Sequence, residues 1–188
     1  MPGHLLTISQ HLLPSLTWIV QYFFPVGLYL FRPPYGSKPD DSNPGSPDNL
    51  TEFGIVHQAI VSNDGRVYVS DHSVGRVQVF TTAGKFLKER ELSRFTKPRP
   101  GTTSLAFSRD PQQKYLYVAD LRRWVIDVLN RETLESVDVI GNHGDMPGQF
   151  QNPHNMATDS KGNLYVGDMG FTVDGNFVGR AQKFLLKP

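Results

Sequence analysis

An all-β fold is predicted by a short module that occurs three times in this chain. Each copy contains a strand of largely apolar residues that ends on an aspartate: Val67–Asp71, Leu116–Asp120 and Leu164–Asp168. The three aspartates lie 49 and then 48 residues apart. Between residues 54 and 188 no stretch has the 3.6-residue apolar period that is typical of a helix. A repeat of this kind indicates that each copy is one supersecondary unit built from strands.

The first unit is predicted to be a four-stranded antiparallel meander. A turn is predicted at Asn63–Gly65, just before the Val67–Asp71 strand, because glycine supplies the positive φ that such turns need. A third strand follows at Gly75–Phe80, and Ala83–Lys85 turns the chain into a fourth strand, Phe86–Glu89. Four short strands in a unit of roughly 40–50 residues are typical of a β-propeller blade.

The other two units follow the same plan with small changes. The second has an insertion at Pro111–Gln113, a turn at Arg131–Leu134 and a fourth strand at Ser136–Ile140. The third reaches its third strand at Gly179–Phe184, and no fourth strand is predicted after it. We therefore expect about three blades, near residues 54–92, 101–141 and 150–188.

The N-terminal part of the chain has a different composition. None of the first 31 residues is Asp, Glu, Lys or Arg, and residues 12–31 are as long and apolar as a membrane span. Pro14 and Pro25 weaken a helix there, and no basic residue precedes the segment as in a signal peptide. We expect residues 1–33 to be a segment outside the propeller, followed by a Pro-, Gly- and Asp-rich interblade loop at 34–53.

Three interpretations of residues 1–33 stay open. The segment replaces missing blades after a truncation or a shift of reading frame, it is a membrane anchor or uncleaved signal, or its strands cover an open blade edge. A genuine segment favours an extracytoplasmic or membrane-anchored location, and a membrane is a partner only if residues 12–31 are an anchor.

The formal net charge of +1 gives no reason to expect nucleic acid as a partner. The absence of cysteine excludes disulfides and Cys-zinc sites.

Residues 53–188 resemble the NHL-repeat family of propellers. The resemblance is carried by Gly148–His154, by the Asp-Gly or Lys-Gly turns, by the Tyr-Val-x-Asp strand and by the Gly-Arg-x-Gln-x-Phe motif. It implies a ring of six blades, so that three blades are half of a truncated propeller whose open edges favour self-association. It also implies a scaffold that binds an unknown protein or small molecule at the channel mouth. A non-functional truncation product is a further alternative.

His57 and His154 are the candidate metal ligands. Each lies 14 residues before the aspartate of its own unit, at the start of the innermost strand beside the channel. A third histidine from a further blade would complete the ligand count of an open zinc site. This pattern is distantly similar to the peptidyl-α-hydroxyglycine amidating lyases, which implies zinc as a cofactor. His72 stands where those enzymes have a catalytic arginine, which speaks against lyase activity. In the alternative interpretation both histidines pack at the channel mouth and bond to the backbone.

The remaining candidates divide into structural and loop positions. The recurring aspartates are expected to accept backbone N–H bonds at strand-to-strand turns, and the recurring arginines to anchor the third strand. These structural positions are Asp71, Asp120, Asp168, Arg76 and Arg180. Loop residues that could face a ligand or partner are His72, Trp124, His143 and Asp145.

Overall fold

The computed structural model describes residues 53–92, 101–171 and 175–185. The interpretations of residues 1–33, and almost all of the interblade loop at 34–53, therefore concern parts of the chain outside the described residues. Within the described ranges no helix is long and apolar enough to cross a membrane.

The all-β prediction is confirmed, since the described residues form eleven strands in three antiparallel sheets and no helix. We number the sheets as blades 1 to 3. Blade 1 contains β1 (Val56–Val61), β2 (Arg66–Asp71), β3 (Arg76–Thr81) and β4 (Phe86–Glu91). Blade 2 contains β5 (Thr102–Phe107), β6 (Tyr115–Asp120), β7 (Val125–Asn130) and β8 (Ser136–Ile140). Blade 3 contains β9 (Pro153–Thr158), β10 (Leu164–Phe171) and β11 (Phe177–Phe184).

The predicted propeller arrangement is confirmed by the way in which the sheets meet. Within each blade the strands pair in chain order, so that every blade is a simple meander. The first strands of the three blades are neighbours, with β1 packed against β5 and β5 packed against β9. The three sheets therefore radiate from one line of inner strands, as propeller blades do.

Side chains, not ladder bonds, connect the inner strands of neighbouring blades. The Gln58 Oε1 atom of β1 accepts hydrogen bonds from the Leu105 amide at 2.5 Å and the Ser104 hydroxyl at 3.0 Å. The Ser104 Oγ atom in turn accepts a bond from the Met156 amide of β9 at 2.9 Å. The Thr103 hydroxyl donates to the Pro153 carbonyl at 3.1 Å. These bonds fix the backbone of β1 and β9 on either side of β5.

Apolar residues between the blades form the core. One cluster lies between blades 1 and 2, where the Tyr68 and Phe107 rings meet edge to face with centroids 5.1 Å apart. A second cluster lies between blades 2 and 3 around Phe150, which is fully buried. The middle blade is covered on both faces, and for this reason Leu116–Asp120 is buried at every position. A strand with one face in solvent would instead show alternating buried and exposed side chains.

Candidate functional site

Three histidines from two blades form one group, which we call the histidine cluster: His57, His72 and His154. His57 and His154 are the second residues of β1 and β9, and His72 directly follows β2. The rings of His57 and His154 meet edge to face with centroids 4.7 Å apart. The rings of His57 and His72 are 5.8 Å apart. The structure thus brings the two predicted ligands together and adds His72, which the sequence had suggested only as a loop residue.

The backbone around each of these histidines is firmly held. Gln58 follows His57 and carries the inter-blade bonds of β1, while Pro153 precedes His154 and accepts the bond from Thr103. The His72 amide donates to the Ile55 carbonyl at 2.8 Å, which ties the start of the β2–β3 turn to the segment before β1. The backbone positions from which the three imidazoles project are therefore fixed.

Two nitrogen atoms of the cluster have no partner. The Nδ1 atoms of His72 and His154 are buried, and neither has a hydrogen bond within the described part of the protein. A buried polar atom left unpaired costs about 1–3 kcal/mol, so that such atoms call for a ligand or another partner. The interpretation in which the histidines pack and bond to the backbone stays an alternative prediction.

The surroundings favour the neutral form of two of these imidazoles. Burial lowers the pKa of His57 below its usual value, and the nearby imidazoles of His154 and His72 lower it further. Burial is also the main cause that lowers the pKa of His72, with smaller contributions from the charges of Arg122 and His154. Neutral imidazole is the form of histidine that binds metals.

The lowered pKa of His57 leads to a prediction for the His154→Gln variant. We expect the pKa of His57 to rise toward its usual value in this variant, because the electrostatic contribution of the His154 imidazole, which lowers this pKa, is removed. Between the folded pKa of His57 and its usual value of about 6.5, this histidine binds more protons in the unfolded chain than in the folded one. The stability contributed by neutral His57 is therefore present above about pH 6.5 and is lost as the pH falls through the folded pKa. Proton NMR of the imidazole Cε1–H signals measures the titration. The His143→Gln variant is the matched control, and an unchanged His57 pKa in His154→Gln would contradict the contact.

The spacing of the cluster suits metal ligands, although its present arrangement is not a metal centre. Two imidazoles on one tetrahedral zinc have ring centroids about 5 Å apart, because the Zn–N bonds are about 2.0–2.1 Å long. The observed separations are 4.7 and 5.8 Å. Within the described ranges, however, no three histidine or carboxylate side chains are aimed at a common point. The imidazoles would have to rotate to share one ion.

Asp71 lies beside the cluster in sequence but is engaged elsewhere. Its carboxylate accepts bonds from the Gly54 amide at 3.2 Å and forms an ion pair with Arg76 at 3.1 Å. Both side chains are fully buried. Arg76 also reaches Glu89 of β4 at 3.2 Å. The pair therefore connects the segment before β1 to β3 and β4.

The other two repeat aspartates have equivalent partners. Asp168 accepts bonds from the amides of Gln151 and Asn152 at 3.1 and 2.7 Å and pairs with Arg180 at 2.9 Å. Asp120 accepts bonds from the Arg122 and Arg123 amides at 3.0 and 3.1 Å, and its ion pair at 3.1 Å is with Arg123. Sequence comparison of the units does not find Arg123, because in blade 2 the arginine precedes the third strand and is not its first residue.

The predicted loop candidates form a second, exposed group. The Trp124 ring is 37% exposed and lies against the exposed His143 ring at 4.4 Å. Trp124 has a φ of 58°, at the place where blade 1 has Gly75 with a φ of 73°. A bulky residue with positive φ is strained, so that the local backbone does not explain why tryptophan occurs here. Asp145 is exposed and accepts a hydrogen bond from the Gln151 side chain.

Comparisons with known proteins support no assignment to a family. No family profile matches the chain, and no curated protein sequence matches it. Among solved structures, the chain is similar to the hydrazine synthase of Kuenenia stuttgartiensis, with 16% identity over 80% of this chain and 33% of that one and a TM-score of 0.49. It is also similar to the Cps50 (Swd1) β-propeller domain of Myceliophteria thermophila, with 11% identity over 67% of this chain and 38% of that one and a TM-score of 0.44.

A third similar structure is a catalytically inactive virginiamycin B lyase of Staphylococcus aureus in complex with quinupristin. Its identity is 13% over 71% of this chain and 42% of that one, with a TM-score of 0.41. The chain spans from about a third to about two fifths of the length of these three solved chains. Similarity at this level says nothing about activity.

Proposed function

We propose that this chain is part of an NHL-type propeller, with six blades in its complete ring, that serves as a binding scaffold. We propose further that its protein or small-molecule ligand binds at the histidine cluster. The supporting observation is the pair of buried, unpartnered Nδ1 atoms of His72 and His154. The repeated sequence motifs of the NHL type support the blade count.

Zinc is the ligand that the cluster would accept most readily. Zinc is bound by imidazole nitrogens, and three protein ligands leave its fourth position open to water or a further ligand. We propose that His57 and His154 are two of these ligands and that His72 is the third. Their ring separations of 4.7 and 5.8 Å support this choice, as does the lowered pKa of His57 and His72.

Metal analysis tests this proposal. The full-length chain, dialysed against zinc and then against metal-free buffer, is expected to retain about one zinc ion per chain. The His154→Ala variant is expected to lose it, while His143→Ala, a matched change outside the cluster, is expected to keep it. A metal-free wild type would refute the zinc site, and so would a His154→Ala variant that retains the metal.

A zinc-dependent lyase of the peptide-amidating type is the second candidate. It is favoured by the common position of His57 and His154 at the start of two inner strands and by the contact between their rings. His72 in place of the catalytic arginine counts against it. The zinc-loaded protein should release an amidated peptide from a peptidyl-α-hydroxyglycine if this activity is present. A zinc-loaded protein without this activity would retain only the scaffold function.

A further inference from the structure

Arg122 has an unusual environment for a partly buried arginine. Its Nε atom is buried without a hydrogen-bond partner, and it forms no ion pair within the described residues. The adjacent Arg123 differs, since it pairs with Asp120 at 3.1 Å and Asp127 at 2.5 Å. A guanidinium stays charged and can only donate hydrogen bonds, so that its partner must be an acceptor.

The side chain of Arg122 is held in place by its own backbone surroundings. A Cβ atom at Gly101 would lie 2.7 Å from Arg122 Cγ, so the stem of the arginine packs directly on the glycine. The Leu121 amide donates to the Gly101 carbonyl at 3.0 Å and holds the start of the β6–β7 turn against β5. The hydroxyl of Thr102, the residue after Gly101, donates to the Asp71 carbonyl at 2.9 Å, and this contact brings Gly101 and the stem of Arg122 beside the residue that precedes His72.

The carboxylates that could neutralise Arg122 already have other partners. Each repeat aspartate binds a different arginine, in the pairs Asp71–Arg76, Asp120–Arg123 and Asp168–Arg180. The described part of this site therefore combines one unpaired guanidinium N–H, which can only donate, with two unpaired imidazole nitrogens, each of which donates when it carries the proton. Such a set is complemented by an oxyanion. A planar carboxylate also matches the parallel N–H groups of a guanidinium.

We propose that Arg122 binds the carboxylate of an anionic ligand at the histidine cluster. The guanidinium donates Nε–H and one terminal N–H to the two carboxylate oxygens, and His72 or His154 can donate an Nδ1–H as a third bond. The inference rests on the proposed function for the position of the ligand site, but it does not require a bound metal. Carboxylate binding can therefore fail while zinc binding succeeds, and the reverse is equally possible.

An NMR titration of the full-length chain in the presence of a chelator tests the proposal. Sodium acetate is added at constant ionic strength while the Nε–H signal of Arg122 and the imidazole Cε1–H signals of His72 and His154 are followed. We expect these signals to shift and saturate with acetate but not with acetamide, which has the same shape without the charge. The imidazole signals report acetate binding in the Arg122 variants, which lack the Nε–H group. The Arg122→Gln and Arg122→Lys variants should bind acetate roughly tenfold more weakly or worse, because the bidentate charged bond is lost. The Lys variant keeps the positive charge, so that weaker acetate binding in this variant reports the lost guanidinium geometry and not a lost charge.

The Arg109→Gln variant is the control for net charge, since Arg109 is an exposed residue outside the site. It should bind acetate as the wild type does. An equal response to acetamide, undiminished acetate binding in both Arg122 variants, or a response to inorganic phosphate but not to acetate would each overturn the proposal. Loss of zinc binding in Arg122→Lys is not expected, and the zinc measurement is made separately on the same protein.

Discussion

Replacing Arg76 by methionine is expected to lower the free energy of unfolding by about 3–5 kcal/mol. The reason is that Arg76 and Asp71 form an ion pair at 3.1 Å with both side chains fully buried. Methionine keeps much of the side-chain volume but leaves the Asp71 carboxylate buried without its counter-charge. Such an unpaired buried charge costs much more than the pair contributes when intact.

The loss should depend on pH. Burial raises the pKa of Asp71 above its usual value, and Arg76 acts in the opposite direction. In the variant the pKa of Asp71 should therefore rise further. A folded state with a raised carboxyl pKa binds more protons than the unfolded chain, so that its stability falls as the pH rises above the usual aspartate range. We expect the difference between variant and wild type to be larger at neutral pH than in mildly acidic buffer.

Urea unfolding at the two pH values measures this effect. The Arg66→Met variant is the matched control, because Arg66 pairs with Glu132 at 3.1 Å on the surface, where its side chain is 32% exposed. Surface pairs contribute about 0–1 kcal/mol, and this variant should lose no more than that. Equal losses in the two variants would contradict the structural role assigned to the Arg76–Asp71 pair.

The Gly141→Ala variant is expected to lose about 2–4 kcal/mol of stability. Gly141 follows β8 with a φ of 84°, which costs an L-residue energy in any surroundings. An added Cβ would also lie 2.6 Å from Cδ2 of Phe150 and 3.0 Å from the Gly148 carbonyl oxygen. Phe150 is fully buried between blades 2 and 3 and cannot move without opening the core.

Gly148→Ala separates the two causes. Gly148 has the same φ of 84°, but nothing lies within 4 Å of the position that its Cβ would occupy. This variant should show only the conformational cost of about 1–2 kcal/mol. Thermal or urea unfolding of both variants gives the difference, which measures the clash with Phe150. If Gly148→Ala loses as much stability as Gly141→Ala, the expected clash between the added Cβ at position 141 and Phe150 is contradicted.

Much of the local structure could be predicted because it depends on neighbours in the sequence. The turns at Asn63–Gly65 and Arg131–Leu134 occur as expected, with a φ of 72° at Gly65. The common register of the units also predicted that His57 and His154 occupy equivalent positions on inner strands. The backbone conformation of Trp124 could not be predicted in this way. Its φ is 58°, a positive value that blade 1 has at a glycine.

The composition of the site could not be predicted, because it depends on which strands become neighbours. His72 reaches His57 only because β1 and β2 pair in one register, and His154 joins them only because β5 packs against both β1 and β9. Arg122 was not singled out, since in sequence it is one of two adjacent arginines. Only packing shows that Arg123 pairs with Asp120 while the Nε of Arg122 stays without a partner.

The repeat thus accounts for the strands, the turns and the blade meander, because hydrophobic patterning and glycine conformation act over a few residues. The meeting of His57, His72, His154 and Arg122 depends on contacts across two or three blades. Those contacts arise from core packing and from the bonds of Gln58, Thr103 and Ser104 between inner strands. No local pattern encodes such bonds, because their partners lie about one blade apart in the chain.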